Sequence, residues 1–297
     1  MSSTTLFYII IGILIISFIV DKILETLNEK RFDDEIPEKL KDVYDKKEYK
    51  KSQAYKKTKA KFSKITSIFS TTLTLVFFFL DGFNFIDTIA RNHTENPILM
   101  ALIFFGIILL VSEIIAIPLS YYSTFVIEDK FGFNKSTKKI FWSDKIKGIL
   151  MSALLGGGIL ALIIWFYQLT GENFWIYAWI LIALFSLLMN MFYAKLIVPL
   201  FNKQSPLEAG VLKTAIEKYA EKVGFTINNI FVIDGSKRST KANAYFSGFG
   251  SQKRITLYDT LINDLETDEI VAVLAHEVGH YKRKHIVFNL ISSILLT

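Results

Sequence analysis

The sequence predicts an α-helical multi-pass membrane protein. It has five complete spans, the start of a sixth, and a small α+β domain between the fifth and sixth. Three observations predict this. Hydrophobic residues make up 52% of the chain and the mean hydropathy is +0.37, both high for a soluble domain. The apolar residues fall in long uncharged runs separated by basic connections. Close to residue 297, His276-Glu277-Val278-Gly279-His280 forms an H-E-x-x-H pattern in a stretch of ordinary soluble character.

The spans come first in the chain. Residues 6–20 are an unbroken apolar run. No basic segment precedes it, and Asp21-Lys22 follow without a small-residue cleavage site, so it reads as a retained anchor and not a signal peptide. Residues 65–80 carry no charge, and residues 97–122 carry only Glu113. Residues 148–169 and 173–194 are again uncharged. Glu113 marks a polar cavity or a buried pair within its span. Gly156-Gly157-Gly158 predicts close helix packing. Residues 286–297 (IVFNLISSILLT) are apolar, but twelve residues give a helix of about 18 Å against a hydrocarbon core of about 30 Å. The run reads as a span begun, and the natural protein is expected to continue beyond Thr297.

The connections give an orientation. The first is crowded with Lys, including Lys46, Lys47, Lys50, Lys51 and Lys56. The second, 81–96, has only Arg91, and the third, 123–147, has six Lys. The fourth, 170–172, has none, and the region after the fifth span is basic again. This alternation predicts an external N-terminus and an H-E-x-x-H motif on the cytoplasmic side. The net charge of +6 follows from these loops. The Lys residues are mixed with Asp and Glu and no nucleic-acid motif accompanies them, so no nucleic-acid partner is expected. The absence of cysteine excludes disulfides and thiolate-bound metals.

Residues 1–198 therefore read as the membrane region, 199–285 as a folded domain and 286–297 as the sixth span. Within the domain, Ser205-Pro206-Leu207-Glu208 has the form of a capping box with Pro at the first helical position. It predicts a helix running to about Val223 and ended by Gly224. Residues 229–233 read as a strand followed by a turn at Asp234-Gly235. Residues 244–249 and 254–258 read as two more strands, joined near Gly250-Ser251. A helix follows, with Thr267 as its cap and Asp268 and Glu269 in the first turn, where the helix dipole favours negative charge.

That helix carries the chemistry. Residues four apart lie about 40° apart around the axis and about 6 Å apart along it. His276 and His280 can therefore reach one metal ion, and two imidazoles suit Zn²⁺. Glu277 lies beside them as a general base for water. A metzincin would require Gly at 283 and His at 286, where this chain has Arg283 and Ile286. On a continuous helix His285 points about 140° away from His280, a poor position for a third ligand. Glu269 lies two turns below His276. A catalytic zinc normally has three protein ligands, and the third is expected beyond Thr297. The domain reads as zincin-like. Such enzymes commonly hold an extended substrate along a sheet edge, and Asn243-Ala244-Tyr245 begins either that edge or an ordinary hairpin.

Several further segments resemble one family, the zinc-dependent CAAX prenyl proteases of the type I, endoplasmic-reticulum-type class. In the first loop these are Val43-Tyr44-Asp45 and Lys51-Ser52-Gln53-Ala54-Tyr55. After the third span come Tyr121-Tyr122-Ser123-Thr124-Phe125-Val126-Ile127-Glu128 and Phe131-Gly132-Phe133-Asn134. Pro199-Leu200-Phe201-Asn202-Lys203, Asp234-Gly235-Ser236-Lys237-Arg238-Ser239 and Asn243-Ala244-Tyr245-Phe246 complete the set.

The resemblance implies seven membrane helices around a water-filled chamber, with zinc inside. It implies His276 and His280 as zinc ligands, Glu277 as the base, and Asn243 and Ala244 as residues that hold the substrate backbone. The family's third ligand, a Glu, and a His that helps bind the transition state both lie further downstream than Thr297. The implied partners are the lipid bilayer and a peptide or protein substrate whose C-terminal CAAX cysteine is prenylated. Two other readings stay open. One is an HtpX-like protease that clears misfolded membrane proteins, and the other is a non-catalytic membrane binding protein. The Lys-, Ile-, Phe- and Asn-rich composition points to a bacterial inner membrane as the expected location, with the endoplasmic-reticulum membrane implied by the resemblance if the source is eukaryotic.

Overall fold

Nineteen of the 27 positions of the first helix, Ser3–Glu29, fall at or before Asp21, and over that length its apolar side chains are almost all left uncovered by protein, with Ile11 buried. Ile13 and Ile16, for example, are more than half exposed. Burial in lipid, not in protein, is what such a surface requires. In this computed structural model, which describes residues 2–32, 35–224, 229–248 and 254–296, the same holds for every long helix. They are α1 (Ser3–Glu29), α2 (Lys46–Phe79), α4 (Pro97–Tyr122), α5 (Lys138–Thr170) and α6 (Phe174–Leu196), with the shorter α3 (Gly82–His93) after α2. Four continuous helical stretches are long and apolar enough to cross a membrane. The last, Lys138–Phe201, contains both α5 and α6, folded back on each other at Gly171–Asn173. Together they make the five expected spans.

The chain divides into two units. The first comprises residues 1–95 and 107–131. Here α2 packs against α1 and α3, with Phe7 set against Phe78 and Phe79, and Phe77 against Phe83. Asp45 caps α2, its carboxylate accepting from the N–H groups of Lys47 and Glu48 at 2.8 and 2.9 Å. After Tyr122 the helix widens to a π-helical turn, Ser123–Glu128. Glu128 there accepts a hydrogen bond from the Tyr55 hydroxyl at 2.6 Å. Two of the family-like segments, in the first loop and after the third span, thus meet at Tyr55, whose ring also packs against Phe131.

The second unit comprises residues 96–106 and 132–297. Of the triple glycine in α5, Gly157 alone makes a close approach: a Cβ there would meet Leu102 at 3.5 Å, an ordinary contact. After α6, the short α7 (Val198–Phe201) leads into a four-stranded sheet of β1 (Gln204–Pro206), β2 (Ile230–Ile233), β3 (Ala244–Ser247) and β4 (Arg254–Tyr258). The order is β1-β2-β4-β3, with β2 and β4 parallel and both outer strands antiparallel. Helices α8 (Val211–Lys222), α9 (Asp259–Asp264) and α10 (Thr267–Lys282) pack with it. The core includes Ile216, Ile230, Ala244, Ile255, Leu257, Leu261, Ile270 and Leu274.

The segment at Ser205 is a correction. It forms an edge strand, with Ser205 opposite Val232 and Pro206 opposite Phe231, and the helix begins only at Val211 after Gly210. Proline lacks a ladder donor, which an edge strand tolerates. The N–H of Leu207 then bonds Ile230 O at 2.9 Å, so pairing with β2 overrides the local helix-start signal. The expected joint near Gly250-Ser251 lies outside the described residues. The strand before it is described as far as Ser247.

Candidate metallopeptidase site

The buried face of α10 fixes where its histidines can be. Ile270, Leu274 and Val278 recur every fourth residue and are almost fully buried. His276 and His280 each follow one of these by two positions, about 200° around the axis, and both are exposed. Glu277 lies on the shoulder between the two faces and is half-buried. The start of the helix differs from expectation. Thr267 is its first residue, and the N–H of Glu266 is held by the Glu269 carboxylate at 2.9 Å. A Glu three residues along performs the reciprocal half of a capping box, so no threonine cap is needed.

The ring nitrogens Nε2 of His276 and His280 are 3.0 Å apart. Two nitrogens bound tetrahedrally at 2.0–2.1 Å to one zinc sit about 3.3 Å apart. The pair therefore fits a shared zinc with only a small adjustment. Among the described residues no group of three or more His, Asp or Glu is placed to hold a metal ion.

His285 is where the geometry departs most from the sequence reading. The helix does not continue past Lys282. Lys284 takes a left-handed conformation (φ 56°), and a new helix, α11 (His285–Leu296), starts from it. The break swings His285 back, so its Nδ1 is 2.8 Å from Nδ1 of His280. In the tautomer that leaves His280 Nε2 free as a ligand, Nδ1 carries the proton and donates it to His285. Such an outer partner fixes ring orientation and raises ligand basicity. No pattern in the Arg283-Lys284-His285 triplet announces a non-glycine left-handed residue, so this contact was not legible in sequence.

Ala244 opens the edge strand β3, directly after Asn243, and β3 packs against α10. Tyr258 N–H donates to Asn243 O at 3.0 Å, so Asn243 faces β4. Alternation then turns the backbone groups of Ala244 and Phe246 outward. The Ala244 N–H is held meanwhile by Asn243 Oδ1 at 2.9 Å. Among the described residues no strand pairs with that outer edge.

The loop before β3 is held by the family-like segments. Arg238 forms a two-point ion pair with Asp144, at 2.7 and 2.8 Å, and donates to Phe201 O at 2.8 Å. Lys135 N–H donates to Arg238 O and Thr240 N–H to Phe133 O. Asn202 donates to the Asp234 carboxylate at 3.0 Å, and Ser236 to that of Asp259. Gly235 runs so close to the Tyr258 ring that a Cβ would lie 2.2 Å from it. The Arg238 and Asp144 side chains are 24% and 27% exposed, so solvent weakens their pair only in part. Arg238→Met leaves Asp144 and Phe201 O without their donors. It will destabilise the fold by about 1–3 kcal/mol, read as a lower melting temperature in detergent. A melting temperature equal to that of the parent would show that the pair contributes nothing.

A multi-pass membrane protein with a peptidase-type H-E-x-x-H helix beside an open sheet edge is the class that fold and site define. Residues 25–203 match the family model described as CAAX prenyl protease N-terminal, five membrane helices, and residues 206–297 match Peptidase family M48. The chain belongs to this family of M48 CAAX prenyl proteases. It is 40% identical over 280 residues to CAAX prenyl protease 1 of Saccharomyces cerevisiae, covering 91% of this chain and 62% of that protein. It is 42% identical over 269 residues to the CAAX prenyl protease 1 homolog of Oryza sativa subsp. japonica, covering 88% and 63%. The crystal structure of S. mikatae Ste24p superposes with a TM-score of 0.91 at 40% identity, covering 97% of this chain and 70% of that one. The chain thus spans a little over three-fifths of the length of these curated relatives.

Proposed function

We propose that this chain carries the membrane scaffold, two zinc ligands and the general base of an integral-membrane zinc metalloendopeptidase that removes C-terminal residues from prenylated CAAX proteins. The observation that carries the reading is the 3.0 Å approach of His276 Nε2 and His280 Nε2 on one face of α10. When bound, zinc polarises the scissile carbonyl and lowers the pKa of a water molecule towards about 7. His276 and His280 would hold it, and His285 would keep the His280 ring in place. The Glu277 carboxylate accepts the proton of the attacking water and passes it to the leaving amine nitrogen. The substrate strand adds to the outer edge of β3, pairing with the backbone of Ala244 and Phe246. Asn243 is displaced from the Ala244 N–H as the substrate carbonyl takes its place.

The five-helix membrane region supports a lipidated substrate, because a prenyl chain needs an apolar path to the site. The relatives in yeast and rice favour an endoplasmic-reticulum membrane over a bacterial inner membrane, with the motif on the cytoplasmic side. A farnesylated CAAX peptide and its unprenylated twin test the assignment in a form of the protein that spans the full length of its relatives. The prenylated peptide is expected to be cleaved at least tenfold more efficiently. Equal cleavage of both would favour the broader HtpX-like quality-control reading.

A further inference from the structure

A second site lies where α6 meets the sheet. Arg254 opens β4 and is only 9% exposed. Among the described residues its partners are uncharged. Nη1 donates to Ala194 O at 3.0 Å, Nη2 donates to Gln204 Oε1 at 3.0 Å, and the guanidinium lies 3.8 Å from the Phe231 ring centre. Burial pulls its pKa below the ordinary arginine value, yet arginine stays charged in proteins. The result is a desolvated positive charge that, among the described residues, is met by dipoles and an aromatic ring.

Among the described residues, the buried donors Arg254 Nε and Gln204 Nε2 have no hydrogen-bond partner. The arrangement explains the second. Because Gln204 Oε1 is committed to Arg254, its amide nitrogen must aim elsewhere and needs an acceptor. Both residues line a cavity of about 530 Å³, together with Lys195, Lys203, Asn229 and Met191. Among the described residues none of the three cations makes an ion pair. The nearby Asp234 carboxylate is taken by Asn202.

The cavity is also graded in polarity. Lys195 stands in the last turn of α6, the end of a membrane span, and Met191 stands one turn further into that span. Leu196 and Leu200 beside it are 60% and 46% exposed. Cations at one end and apolar surface at the other match an amphipathic anion at headgroup depth. We propose that this cavity binds the phosphate of an anionic membrane phospholipid. Lys195 and Lys203 meet the phosphate charge, the buried Arg254 guanidinium behind them adds to the attraction, and the acyl chains run along α6.

The test titrates the 297-residue chain in neutral detergent with a fluorescent-tailed phosphatidylglycerol. One saturable site per chain is expected. The double variant Lys195→Gln/Lys203→Gln, which changes exposed side chains only, should weaken it about tenfold or more. Lys138→Gln/Lys139→Gln removes the same charge at the start of α5 and should stay within about twofold of the parent. Phosphatidylcholine and inorganic phosphate at matched concentration should not displace the lipid. Binding that never saturates, or an equal loss in both double variants, would overturn the site. Displacement by inorganic phosphate at matched concentration would overturn the lipid assignment, leaving a free-anion site.

Discussion

Glu277→Gln, in a form of the protein that spans the full length of its relatives, will keep zinc and lose peptide hydrolysis by about 10³-fold or more. The substitution preserves size and one acceptor oxygen but removes the carboxylate proposed to accept the proton of water. Glu277 is half-buried on the shoulder of α10, and its neighbour Val278 is packed into the core. The amide therefore occupies the same place and the helix keeps its seat. Zinc content measured beside turnover separates loss of the base from loss of the site. Residual turnover within tenfold of the parent would sink the assignment of Glu277 as base.

His280→Ala will have the larger effect on the metal. It removes one of two nitrogens that stand 3.0 Å apart and leaves His285 without the partner 2.8 Å from its own Nδ1. Zinc affinity should fall by about 10³-fold or more, beyond the 10–100-fold typical of losing an outer partner. His285→Ala should fall in that smaller range, because it disturbs ring orientation and leaves both Nε2 atoms in place. Metal content after dialysis against a graded chelator series reads both variants. An equal loss in the two would mean that His285 is itself a ligand and that the present division of roles is wrong.

The contrast between these histidines shows what sequence could convey. His276 and His280 were legible because a single regular helix fixes both their spacing and the buried stripe of Ile270, Leu274 and Val278 opposite them. The spans were legible for a similar reason: lipid permits little besides a long apolar helix. His285 was not, because its position depends on one residue, Lys284, leaving helical geometry. Ser205-Pro206 misled because its neighbour in space, β2, lies some 25 residues away. The separate family-like segments showed no internal reason to belong together. In the structure Phe201, Asn202, Asp234 and Arg238 form one hydrogen-bonded network that seats the loop leading to β3.

The bend between α5 and α6 bears on how the protein enters the bilayer. Only Gly171–Asn173 separates the two helices, and Gly171 adopts φ 55° and ψ −122°, a backbone state open in practice to glycine alone. So short a link carries no domain of its own across the membrane. A link this short favours insertion of the two helices together as one hairpin. Because Arg254 ties the end of α6 to β4, the heading that α6 takes at this corner is passed on to the sheet. A substitution at Gly171 would thus appear first as a defect of biogenesis, with mis-inserted chains degraded before any of them could be assayed.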